Sequence, residues 1–298
     1  MIHEFAVEPE ALAKFNPIWQ ALEQFGVEYG RLVSAYPSKW LRHVYDATNG
    51  CKPMERKQLE VRLGRLRQKV RRFGAARKYD GEKPWRENVL VGHEASPFCG
   101  IIQSDNPNNH DAILTPTDLH DENECWACKR EDRIERSSEQ LAAALAPLGC
   151  LSSELLFVDP HFSTEVRWTR VLAELLTVCD VGGGKKTRIE FHTGAVPTRD
   201  VLEPAILKWV MNRFRPSVSI RFVLWEQKEL GEKLHARYFL TELGGIRYDV
   251  GLDEGEPGET TDVGLLSRNL YADRWAEFQL PTAAYSIVDD FTLQGTRT

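Results

Sequence analysis

The spacing best suited to chemistry is His235-Ala236-Arg237, with Glu242 five residues beyond the arginine. On a strand, residues two apart point the same way, so an imidazole and a guanidinium converge, the guanidinium offering a planar fork to phosphate oxygens. Two more histidines close apolar, strand-like runs: His161 in Asp159-Pro160-His161 and His192 in Phe191-His192-Thr193. Open α/β sheets bind ligands beyond the carboxyl ends of their parallel strands. His161, His192, His235, Arg237 and Glu242 are therefore the candidate catalytic set. The alternative is that strand-end histidines serve only local hydrogen bonds.

A second constellation is Cys125-Trp126-Ala127-Cys128. Two thiolates at this spacing are half of a tetrahedral zinc site, which His110, His120 or Cys99 can complete. Structural zinc is thus the candidate cofactor, and unliganded loop cysteines are the alternative. A third feature is a basic stripe: residues 52–78 hold about eleven basic residues against Glu55 and Glu60, roughly +9, on a chain whose net charge is -6. Arg56, Arg62, Arg65, Arg67, Lys69, Arg71 and Arg72 spread around a helix whose apolar stripe is Leu59, Leu63, Leu66, Val70 and Phe73, stopping near Gly74. Such a face fits nucleic acid or an acidic partner, or is simply solvated. The acidic run at 253–259 is a solvated turn or a divalent-ion loop.

The elements that must position these residues are read from periodicity. Residues 9–24, with Leu12, Phe15, Trp19 and Leu22 at helical spacing, residues 31–45 and the basic stripe predict a mainly helical, basic region over 1–80. Residues 81–136, rich in proline and polar turns, predict an irregular connector or insert carrying the candidate zinc knuckle, with short strands near 88–91 and 100–103. From 137 the signals sharpen. A helix at 139–146, a buried strand at 155–159, a helix broken by Gly182-Gly183-Gly184, a strand at 188–192 and a helix through Leu202 to Phe214 predict a parallel α/β core. Strands at 219–224, 236–240, 246–250 and 263–266 follow, the last of them antiparallel.

The chain has 298 residues, 42% hydrophobic and 28% charged, with a mean hydropathy of -0.40, the balance of a globular protein. No stretch approaches the roughly 18 apolar residues of a membrane helix, and the start lacks the order of a secretory signal. The expected location is cytoplasmic. Six cysteines are too sparse for a disulfide scaffold, so reduced thiols are expected.

His235-x-Arg237-x4-Glu242 resembles the H-x-K-x4-D signature of the phospholipase D superfamily, with Arg for Lys and Glu for Asp. Phe157-Val158-Asp159-Pro160-His161-Phe162 resembles that superfamily's opening strand, and the segment from His235 through Gly244-Gly245-Ile246 to Gly251-Leu252-Asp253 resembles the variant found at the C-terminus of MIT-domain proteins and in related bacterial proteins. The resemblance covers about residues 150–298. It implies a mixed sheet with helices on both faces over 137–298, with His235 as nucleophile, Arg237 as phosphate clamp, no metal requirement, and a homodimer to supply a second histidine. The G-S-x-x-N of the enzymes is absent, with Gly251-Leu252-Asp253 in its place, and lysine and arginine are not interchangeable at a shaped site. The expected function is therefore a phosphate- or nucleic-acid-recognising module, and the company that domains of the resembled kind keep implies a subunit of a bacterial multi-protein system of the antiphage kind. The alternatives are a dimeric, metal-independent phosphodiesterase or nuclease using His235 with His161 or His192, and a scaffold subunit.

Overall fold

Short apolar strands alternate with helices along the chain and build two units, Met1–Lys129 and Arg130–Thr298. The structure, a computed structural model, describes residues 1–13, 17–74, 77–183, 186–280 and 284–297. Phe15 and Gly184, used above, lie outside the described residues.

The first unit is an α/β unit and not the helical region expected. It contains β1 (His3–Val7), α1 (Pro17–Ala21), β2 (Arg31–Ser34), α2 (Trp40–Ala47), α3 (Pro53–Leu66), β3 (Val70–Arg71), α4 (Trp85–Ala95), β4 (Gly100–Ile102) and β5 (Ile113–Leu114). The strands form one parallel sheet in the order β3-β2-β1-β4-β5. Alternate side chains feed two cores. Phe5, Val7, Val33, Ile102 and Leu114 meet α2 and α3 through Trp40, Val44, Leu59, Leu63 and Leu66, while Ala6, Ile101 and Ile113 meet α4 through Trp85 and Val89. A sheet covered on both faces buries nearly every strand residue, which removes the polar alternation that marks strands in a sequence.

Several expectations change accordingly. Residues 31–45 split into β2 and α2, with Pro37 between them, and residues 88–91 lie within α4. The basic helix ends at Leu66, because Val70 and Arg71 pair with Val33 and Ser34 as an edge strand. The boundaries expected at 80 and 136 also move. Residues 81–129 complete the first sheet, since β4 pairs with β1 and β5 with β4, and their side chains enter both of its cores.

The second unit contains β6 (Glu131–Glu135), α5 (Ser138–Leu151), β7 (Glu154–Val158), α6 (Val166–Val178), β8 (Arg188–Gly194), α7 (Arg199–Trp209), β9 (Ser219–Gln227), β10 (Arg237–Thr241), β11 (Gly244–Tyr248), β12 (Thr260–Leu265), α8 (Arg268–Glu277) and β13 (Tyr285–Gln294). Its sheet runs β13-β9-β8-β7-β10-β11-β12-β6. β7, β8 and β9 are parallel, joined by α6 and α7, and the other pairings are antiparallel. One face is an aromatic stack of Phe157, Phe191, Phe222 and Phe239. The other buries Leu156, Val158, Val223, Trp225 and Leu240 with Phe278 and Tyr285. Because β10 is antiparallel to β7, with Tyr238 opposite Val158, the start of β10 lies beside the end of β7.

Candidate functional site

That antiparallel neighbour relation builds the site. Asp159 and His161 leave the carboxyl end of β7, while His235 and Arg237 enter β10 across from them. His161 Nε2 lies 3.3 Å from His235 Nδ1, with the rings edge-to-face at 5.3 Å between centroids. Both imidazoles are exposed. The Arg237 guanidinium beside His235 holds that imidazole below its ordinary range. Partial burial, and then Arg237, do the same to His161. At neutral pH the two rings are therefore neutral, sharing one hydrogen bond whose direction depends on the tautomer.

Asp159 is the anchor beneath them. Its carboxylate is fully buried, accepting the Leu252 N–H at 2.7 Å and the His161 N–H at 3.0 Å. Burial pushes its pKa up, opposed by those two hydrogen bonds and by Arg237, whose Nε is 3.8 Å from Oδ1. That Nε is buried and has no hydrogen-bond partner among the described residues. Thr193 Oγ1, on the Phe157/Phe191 face of β8, is likewise buried without a partner. The Gly251-Leu252-Asp253 segment docks here: Leu252 donates to Asp159, and Asp253 is held by Arg136 at 2.6 Å and Arg167 at 3.4 Å. Asp159 and Thr193 were not among the sequence candidates, and Asp253, read there as part of an acidic turn or ion loop, is instead held by Arg136 and Arg167. The available signal was an aspartate closing an apolar run two residues before a histidine.

Two expected site residues lie elsewhere. His192 is completely buried on the opposite face of the sheet, because residues 191 and 193 carry the aromatic face and position 192 must point away. It stacks on Trp225, its Nδ1 accepts the indole N–H at 3.0 Å, and its Nε2 is 3.1 Å from Glu190. With Nδ1 accepting, Nε2 carries the proton and donates to the carboxylate. Burial would raise the Glu190 pKa, but hydrogen bonds from His192 and Arg188 outweigh it and hold the carboxylate at about 2. Glu242 follows the far end of β10, where it accepts Ser153 N–H at 2.7 Å, Ser153 O–H at 3.0 Å and Glu154 N–H at 3.0 Å. It ties the start of β7 to the turn after β10.

In the first unit, Cys125 and Cys128 pack with Cys99 against the core around Phe5, Phe25 and Trp126. Arg31 fixes this loop, with Nε and Nη2 donating to the Trp126 carbonyl at 3.0 and 2.9 Å. Cys99 Sγ donates to the Cys125 carbonyl at 3.5 Å, and the proximity of Cys128 pushes the Cys99 thiol up while that of Cys99 draws Cys128 down. His110 belongs to another cavity, paired with His93 at 6.0 Å between rings, and His120 is exposed. Among the described residues no group of three or more His, Cys, Asp or Glu side chains is placed to hold a metal ion, so the expected set of Cys125, Cys128, His110 and His120 is not assembled. Of the basic stripe, Arg56, Arg65, Arg67 and Arg72 are exposed. Arg62 lies over the Trp19 ring. Lys69 donates to the carbonyls of Leu22 and Glu23, and Arg71 to that of Val70, so both are committed to the fold.

Among the described residues no helix is long and apolar enough to cross a membrane. No family model matches the chain, and no curated protein matches it. Among solved structures, one described as "Structure of TrmBL2, an archaeal chromatin protein, shows a novel mode of DNA binding" aligns over 85% of this chain and 72% of that chain, at 9% identity and a TM-score of 0.29. A likeness of that degree carries no argument about fold or function.

Proposed function

We propose that the second unit is a phospholipase D-like domain that recognises a phosphate-bearing ligand, nucleic acid foremost, through His161, His235 and Arg237. The observation that carries this is the convergence of two exposed imidazoles, 3.3 Å apart, with a guanidinium whose buried Nε lacks a partner. A phosphate oxygen supplies the acceptor that Nε lacks, and the one imidazole N–H not used between the two rings offers a neighbouring donor. The first unit separately carries exposed arginines on α3 and the segment after it, a face that suits nucleic acid.

The same pair supports a second reading, phosphodiester cleavage. When His235 Nδ1–H donates to His161 Nε2, the Nε2 lone pair of His235 is open to attack phosphorus. The P–N bond forms as the P–O ester bond breaks, the Nδ1 proton passes to His161 and from it to the leaving alkoxide oxygen, and water then cleaves the P–N bond, its hydroxyl staying on phosphorus and its proton returning to the imidazole. Both imidazoles come from one chain, so this route needs no second copy.

The test is incubation of the wild type and His235→Ala with labelled single- and double-stranded DNA and RNA in EDTA, scored for gel shift and for cleavage. A shift without cleavage, weakened in the variant, supports recognition. Cleavage lost in the variant supports the phosphodiesterase. An unchanged shift in His235→Ala and Arg237→Ala overturns recognition through these residues, and cleavage that is absent in the wild type or undiminished in His235→Ala overturns the phosphodiesterase.

A further inference from the structure

The first unit carries a cavity of about 430 Å³ between α4 and the segment joining β4 to β5. Part of its wall lies where ligands gather in open α/β sheets. Strand order reverses at β1 and β4, and Gln103 follows the carboxyl end of β4 while Arg86 opens α4 beside Glu8, which follows β1. Gln103 is 2% exposed. Its Nε2 has no hydrogen-bond partner among the described residues. A buried donor left unpaired costs the fold stability, and it is tolerated where something outside the chain supplies the acceptor.

The surroundings narrow the ligand. Arg86 is fully engaged: Nε and Nη2 bond Glu8, Nη2 also bonds Ser104 Oγ, and Nη1 pairs with Asp105. With Asp111 also in the wall, the charge balance is acidic and turns phosphate away. Leu90, Pro107 and Ile113 give the cavity apolar sides, and its volume falls within the range of small-molecule sites. A carboxamide between apolar walls matches the adenine edge, donating to N7 while accepting from the N6 amino group. We propose that this cavity binds a purine base, adenine by its edge, with the sugar and any phosphate directed outward. The base comes either from a free nucleoside or from a nucleotide turned out of a strand.

The test is calorimetric titration of the full chain with adenosine, uridine and a ten-residue deoxyadenosine strand, using the wild type, Gln103→Leu and Leu90→Trp. Adenosine is expected to bind at least tenfold tighter than uridine, and Gln103→Leu to lose at least tenfold without a lower melting temperature, since it replaces an unpaired amide with an apolar group. Leu90→Trp fills the cavity from the α4 side and carries the test if Gln103→Leu does not fold. Binding of adenosine, lost in the variants, assigns a free nucleoside. Binding of the strand alone, lost in the same variants, assigns an extruded base. Wild-type binding of neither, adenosine binding no tighter than uridine, or variants that keep affinity within twofold, overturns the proposal.

Discussion

Glu242→Ala separates the site from its scaffold. Glu242 stands at the acidic position of the motif, yet its carboxylate receives two backbone N–H groups and a hydroxyl from Ser153 and Glu154. A hydrogen bond to a charged group contributes about 1.5–3 kcal/mol when its partner is stranded without water. Glu242 is half-buried, so water replaces part of what is lost, and the lower end for the two backbone bonds gives about 3 kcal/mol. In a unit of about 170 residues, each kcal/mol moves the melting temperature by about 2–4 °C, so a fall of roughly 6–12 °C is expected. Scanning calorimetry of the full chain reads this, with hydrogen exchange locating the loss in β7 and β10. Oligonucleotide affinity measured below the melting transition should stay within about twofold. Unchanged stability with binding lost more than tenfold would falsify the scaffold role and return Glu242 to the site.

Arg237→Ala should weaken oligonucleotide binding by roughly 10- to 100-fold, the value of a charge-assisted pair, and Arg237→Lys should restore only part of it, by fluorescence anisotropy at fixed salt. A full rescue by lysine would mean that charge alone matters there. Since His161 and His235 both sit below their ordinary range and a bound phosphate favours their protonated forms, affinity should rise as pH falls below about 6.5, by no more than tenfold per pH unit for each proton taken up. Cleavage by neutral His235 would fall over the same interval, so parallel pH profiles distinguish the two readings. Glu190, held at about 2 against an ordinary 4.5, contributes stability that is present above about 4.5 and lost as pH falls toward 2, on the order of 3 kcal/mol. Urea unfolding of Glu190→Gln across that range should show a flattened acid limb. The double variant Arg65→Glu/Arg67→Glu should lower affinity for all sequences alike and shallow the salt dependence of binding, and an unaltered salt slope would remove this face from the interface.

The second unit was legible because its central strands are five to nine residues long and separated by amphipathic helices: 154–158, 188–194 and 219–227 each bury most of their residues. The first sheet was not, since β3 and β5 have two residues each and β4 has three, too short for any period to register. Among the histidines, residue type and proximity to strand ends were readable, while their pairing was not. It depends on β10 running antiparallel to β7 with Tyr238 opposite Val158, a register fixed only by tertiary contacts. His192 looked equivalent to His161 because both close a strand. The difference is one residue of phase, which sends its ring under Trp225 instead of toward solvent.

The approach of β10 to β7 also orders events during synthesis. His161 and His235 are 74 residues apart, and α6, β8, α7 and β9 must be made between them. A chain that has emerged only through β9 holds the three parallel strands and one imidazole, with Asp159 lacking both Arg237 and the Leu252 amide. The cluster of His161, His235 and Arg237 therefore comes into being only once β10 has seated against β7. A nascent or truncated protein that ends before β10 carries a partial sheet in which His235 and Arg237 have not yet reached His161 and Asp159, so chain order makes this cluster one of the last features of the unit to form.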